Sequence, residues 1–118
     1  MNEDFKKELN EFLGRASLAT YAGSGSETDS GTGFTELEFK EGDWLYRDSY
    51  TGFFQSWGRE VVWYKGKPVW NSLYGGGMTK EFHGDEQFAH ETFSFLKKAM
   101  SAGVKIEKFQ PRGPREFE

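Results

Sequence analysis

The sequence predicts an α+β domain: an antiparallel β-meander of about four to five strands, with an N-terminal helix and a C-terminal helix packed on the sheet. Three observations carry this. Apolar residues recur at helical spacing near the N-terminus and again between Phe88 and Met100. Between Phe34 and Tyr74 they alternate with a period of two. Two glycine-containing breaks, Glu41-Gly42-Asp43 and Lys65-Gly66, interrupt that alternation where hairpins would reverse the chain. A chain of 118 residues suits one domain spanning 1–118, burying roughly two thirds of its extended surface on folding.

The first helix is expected over about 3–15. Phe5, Leu9, Phe12, Leu13 and Ala16 form one stripe, flanked by Lys6, Lys7, Glu8 and Glu11, and Gly14 is expected near its end. Residues 23–33 hold no apolar side chain. A phosphate cradle is one reading of so many glycines, but no lysine accompanies them, and Glu27 and Asp29 would repel an anion. A solvated Gly/Ser loop is the expectation.

The meander is expected over 34–75. Phe34–Lys40 and Trp44–Tyr50 admit two registers. A two-residue Gly42-Asp43 loop, with glycine first as a type II′ turn prefers, sets Glu38 opposite Arg47. A three-residue loop would set Glu36 opposite Asp48, two carboxylates face to face. The first register is favoured, with Leu37 and Phe39 on the face of Trp44, Tyr46 and Asp48.

In the second hairpin, Arg59–Tyr64 and Lys67–Tyr74 flank Lys65-Gly66, so Trp63 faces Pro68. Proline has no N–H to donate, which points to this end of the strand as a sheet edge. Strict alternation puts Trp57, Val61, Trp63, Pro68, Trp70 and Tyr74 on one face. Val62, Tyr64, Val69 and Leu73 then take the other.

Gly75-Gly76-Gly77 is expected to end this strand. Asp85 then caps a helix over about 85–102, with Lys97 and Lys98 near its C-terminus and Gly103 as its stop. Val104 and Ile106 suggest a short strand, and Pro111 and Pro114 an extended tail over 104–118.

Composition excludes several classes. With no cysteine, disulfides, thiolate metal sites and a cysteine nucleophile are ruled out, and a reducing compartment fits. The N-terminus lacks a basic segment followed by an apolar one, so no signal peptide is expected. No apolar run nears the ~20 residues of a membrane helix. The expected location is cytoplasmic, with no membrane partner. Fifteen Lys and Arg against nineteen Asp and Glu give a net charge of −4, no footprint for nucleic acid. Aromatic residues make up 18% of the chain, so rings must build much of the core.

The segments Arg47–Phe53, Glu60–Trp70 and Arg112–Glu116, with Ala19–Gly23 upstream, follow one another in an order that carries a resemblance. From about Phe12 onward the chain resembles an uncharacterised bacterial family of unknown function, some members of which carry the domain behind an XRE-type helix-turn-helix regulator. The resemblance implies no activity and no catalytic residue. It favours a sensing or ligand-binding module in bacterial cytoplasm.

Asp48 stands out among the candidate residues. Between Tyr46 and Tyr50 on an aromatic face, a carboxylate must find hydrogen bonds, pair with a cation or take up a proton. A structural role, fixing the turn at 48–53, competes with a functional one. Arg47, Arg59, Glu36, Glu38 and Glu60 read either as a polar site or as cross-strand pairs on a wet face. The only histidines, His83 and His90, would join Glu86 on one face of a continuous helix, but Gly84-Asp85 looks like the helix start, so no metal site is expected. No Gly-x-Ser-x-Gly elbow is present. The rings Trp57, Trp63, Trp70 and Tyr74 read as core under a helix, as a ligand groove, or as a homodimer interface, the first being favoured. The tail arginines Arg112 and Arg115 could strap across a sheet edge.

The function expected is a non-enzymatic module binding a small molecule or a protein. Its contacts would come from Arg47, Asp48, Tyr50, Arg59, Glu60, Trp63 and Trp70, with no cofactor. The alternative is a small enzyme with Asp48 or Glu60 as acid/base and Arg47 or Arg59 as anion stabiliser.

Overall fold

The computed structural model describes residues 2–20 and 27–107, with side chains as far as 102. Helix α1 (Glu3–Ala19) is followed by strands β1 (Glu27–Asp29), β2 (Thr35–Glu41), β3 (Trp44–Gly52), β4 (Gln55–Tyr64) and β5 (Lys67–Gly77). A short 3-10 turn (Lys80–Phe82) then leads to helix α2 (Glu86–Glu107). The strands form one antiparallel sheet in chain order, with β1 and β5 at its edges. The α+β meander between two helices is therefore the architecture.

Helix α1 starts where Asn2 accepts the Phe5 N–H at 2.7 Å. Glu3 and Asp4 favour the positive end of the helix dipole. The helix does not stop near Gly14. It runs four residues past the expected end, because Ala16 and Ser17 are buried and tertiary burial outweighs the poor helix propensity of one glycine. Phe12 is fully buried and stacks on Phe39 and Trp44, with ring centroids 5.7 and 5.3 Å away. With Leu9, Leu13 and Ala16 it packs on Tyr46 and Val62, which defines the covered face of the sheet. Each such large side chain contributes about 1.5–3 kcal/mol by leaving water.

The first hairpin has the favoured register: Glu38 pairs with Arg47, and Leu37 and Phe39 share the face of Tyr46 and Asp48. Gly42 has φ +61° and Asp43 is not left-handed, as a type II′ turn requires. At Lys65-Gly66 both residues are left-handed, at φ +51° and +80°, the pattern of a type I′ turn.

The second hairpin departs from strict alternation. Tyr64 pairs with Lys67 and Trp63 with Pro68, as expected, but Val62 pairs with Trp70. Val69 is the extra residue of a β-bulge, and both Val69 and Trp70 pack against the core under α1. The expected faces therefore invert beyond the bulge. Trp70 and Tyr74 join Val62 on the covered face, while Leu73 joins Trp57, Val61 and Trp63 on the open one. Pro68 does lie on an edge strand.

The expected loop over 23–33 also needs correction. Glu27–Asp29 pairs with β2, and the turn that follows is tied by Asp29 Oδ1, which accepts the Gly31 N–H, and by Ser30 N–H donating to the Phe34 carbonyl. Thr51 anchors this turn to β3 by donating to the Gly33 carbonyl at 3.1 Å. Residues 23–26 lie outside the described residues.

The meander extends through all three glycines to Gly77 rather than ending at 75, because each of them pairs with β4. Asp85 caps α2 by accepting the Phe88 N–H at 3.0 Å, as expected. Gly103 does not stop the helix, and Val104 and Ile106 are helical rather than extended. A single glycine costs a formed helix only about 1 kcal/mol. Helix α2 packs against α1, and its His90 and Phe93 touch Phe53 at the β3–β4 turn. The expected tail falls at 108–118, with Arg112 and Arg115, outside the described residues.

Candidate functional site

Two neighbouring arrangements occupy opposite faces of the same strands. On the covered face, Asp48 of β3 lies directly across from Glu60 of β4, and both are buried, at 2% and 7% exposure. Two tyrosines supply donors. Tyr46 donates to Glu60 Oε2 at 2.5 Å, and Tyr74 donates to Asp48 Oδ1 at 2.7 Å. Farther along, Tyr50 donates to Glu27 Oε1 at 2.9 Å.

Tyr74 reaches Asp48 from β5 by passing over β4 at Gly58, its register partner. A Cβ at Gly58 would stand 2.8 Å from the Tyr74 hydroxyl, 2.8 Å from Tyr50 Cβ and 2.4 Å from the Ser49 carbonyl. The Tyr74 side chain, through its hydroxyl, thus takes part of the space a side chain at Gly58 would need.

Burial pushes Asp48 from the usual 3.8 up to about 6. The Glu60 charge adds to this and the Tyr74 hydrogen bond opposes it. Burial first, then the Glu60 carboxylate, holds the Tyr46 phenol far above its ordinary range. Tyr50 is pushed up to about 12, first by burial and then by its bond to Glu27. These hydroxyls are hydrogen-bond donors at neutral pH, each aimed at a carboxylate.

On the open face, the register pair Ser49 and Arg59 stands one residue away from the acidic pair. Trp57 is 57% exposed and Leu73 is 80% exposed, both beside Arg59. The β1–β2 turn rises on the other side with Ser30, Thr32 and Phe34. Together with Glu36 they line an open groove of about 540 Å³, which Gly58 and Tyr74 also border, within the range of small-molecule sites. Glu36 accepts the Ser49 hydroxyl at 2.8 Å, and the Ser30 and Thr32 hydroxyls are 2.8 Å apart.

The two arginines differ in freedom. Arg47 Nε bonds Glu38 Oε1 at 2.6 Å, Glu36 lies 4.0 Å away, and the guanidinium covers the Trp63 ring at 5.3 Å. Arg59 has no acidic partner among the described residues.

The sequence candidates therefore divide between faces. Asp48, Tyr50, Glu60 and Trp70 lie on the covered face; Arg47, Arg59 and Trp63 lie on the open one. The ring set Trp57, Trp63, Trp70 and Tyr74 does not form one cluster. Tyr46, Tyr74 and Gly58 were missed as members of the acidic network. Tyr46 was legible as a face neighbour of Asp48, but the bulge concealed Tyr74. Ser30, Thr32, Phe34 and Leu73 were missed as groove walls, because the first three fall in or beside a segment read as loop.

His83 stands outside α2, with its ring stacked near Phe54 and Nε2 3.0 Å from the Met78 carbonyl. His90 packs edge-on against Phe53. Among the described residues no three His, Cys, Asp or Glu side chains gather as metal ligands. No helix among them is long and apolar enough to cross a membrane.

A family model described as a domain of unknown function, DUF5680, matches residues 48–118. The match opens at Asp48 and takes in all of β4, β5 and α2. Neither the curated proteins nor the solved structures include a match.

Proposed function

The chain belongs to the DUF5680 family, and from the geometry of its open face we propose that it is a non-enzymatic module that seats a small organic molecule. The groove carries this reading. Trp57 and Leu73, the two most exposed large apolar side chains of the described strands, stand at its wall. A volume of about 540 Å³ is on the scale of a small molecule. A sensing role in bacterial cytoplasm, behind a helix-turn-helix regulator, is the setting this reading favours.

The enzyme alternative has less support. Asp48 and Glu60 are buried and engaged by tyrosines, and Arg47 and Arg59 lie across the sheet from them. A substrate anion held by either arginine would be separated from the acid/base pair by the backbone of β3 and β4.

The test is a ¹⁵N-correlated NMR titration with two flat probes, 2-naphthoate and 2-naphthylmethanol. Binding in the groove shifts the Trp57 indole signal and the amides of 30–36, 57–59 and 73. Saturable shifts there support the reading. Absence of saturable shifts with both probes at millimolar concentration overturns it. So does a mass of two chains by light scattering with the Trp57 signal already broadened in the free protein, which would assign the face to a second copy.

A further inference from the structure

Resting on that reading, we propose that the groove selects ligands bearing an anion, a carboxylate or sulfonate, attached to a flat apolar body, with Arg59 as the anion's partner. The charge arrangement points to this class. Arg59 is exposed in the groove and has no acidic partner among the described residues, whereas Arg47, two strand positions from Ser49 on the same face, is already paired with Glu38. A guanidinium presents paired N–H donors that match a carboxylate. The nearby acid, Glu36, already accepts from Ser49 and lies 4.0 Å from Arg47, so its charge is partly satisfied on its own side of the groove.

Polar and apolar contacts are also spaced for such a molecule. The paired Ser30 and Thr32 hydroxyls share one hydrogen bond, which leaves a second O–H to donate. An anion at Arg59 can therefore gain a neutral donor from the facing turn. Trp57, two positions earlier on the same strand and face, offers a ring for the flat part, and Leu73, the register partner of Arg59, adds an apolar wall. A neutral molecule would use the ring and the wall but form no ion pair with the cation.

The experiment compares 2-naphthoate with 2-naphthylmethanol, on the wild-type chain and on Arg59→Gln. The carboxylate should bind the wild type about tenfold more tightly than the alcohol, as one charge-assisted contact implies. Arg59→Gln should erase that preference, the naphthoate losing about tenfold more affinity than the alcohol. Raising salt from 50 to 500 mM should weaken the naphthoate alone. Equal affinities of both probes at the groove would overturn the anion assignment while leaving the groove reading in place. Binding of neither probe would overturn both. A preference that survives in Arg59→Gln would also overturn the assignment, because the anion would then sit elsewhere.

Discussion

Tyr74 on β5 donates to Asp48 on β3 at 2.7 Å, from two strands away, across a glycine that leaves its ring the room. This bond ties an edge strand to the centre of the sheet through polar atoms rather than through packing. It also determines what the buried acid can do, and several expectations follow from it.

Asp48 should make stability depend on pH in the direction opposite to most carboxylates. Its pKa is raised in the fold, from 3.8 to about 6, so the folded state holds a proton that the unfolded chain has lost. The resulting stabilisation is complete below about pH 3.8 and is lost as pH rises through about 6. Asp48→Asn cannot lose a proton, so the variant should gain on the wild type between pH 4 and 7, by on the order of 2 kcal/mol. Urea unfolding of both proteins across that range measures the gap. A gap that narrows as pH rises would contradict the assignment.

Tyr74→Phe removes the donor and leaves the ring. The cost should be about 1–3 kcal/mol, the price of stranding a buried acceptor. The loss should be larger at pH 8 than at pH 5, because a charged carboxylate misses its donor more than a neutral acid does. Because the Tyr74 bond holds the Asp48 acidity up, carboxyl ¹³C titration of the variant should place Asp48 above its wild-type midpoint of about 6.

Gly58→Ala tests the crossing itself. The new methyl would meet the Ser49 carbonyl at 2.4 Å, a backbone atom that cannot rotate away. Destabilisation of about 2 kcal/mol or more is expected, as for other overpacked sites. The Tyr74 ring should also be displaced, so a double variant with Tyr74→Phe should be less destabilised than the sum of the single variants.

Lys65 is the one non-glycine residue with a left-handed backbone among those described, at φ +51°. Lys65→Asn would give the Asn-Gly pair that a type I′ turn favours. A gain of about 0.5–1 kcal/mol is expected in thermal or urea unfolding, with no change in the groove.

How far the sequence could be read depended on whether one physical rule acted alone. The first hairpin was legible because its two registers differed in a charge clash, Glu36 against Asp48, that a sheet avoids. Trp63 opposite Pro68 was legible from the short Lys65-Gly66 loop. Beyond Val62 the reading failed, because a bulge leaves no mark in a run where Val69 and Trp70 are both apolar and both pack inward. The strand at Glu27–Asp29 was hidden for a different reason: it is three polar, exposed residues whose extended form comes from pairing with β2. Of the candidate site, the buried Asp48 was legible from its ring neighbours. The separation of Arg47 and Arg59 from Asp48 and Glu60 is legible from the alternation along β3 and β4, in which neighbouring residues take opposite faces.

The surplus residue at Val69 works as a phase setting for the outermost strand. Deleting it would alter no charge and little hydrophobicity, yet every position from Trp70 onward would exchange inside for outside. Leu73 would turn toward the acids and Tyr74 toward water, a frameshift in space rather than in codons. Tolerance to amino-acid replacement on β5 and tolerance to a change in its length are therefore separate properties, and only the first can be judged from the residues it contains.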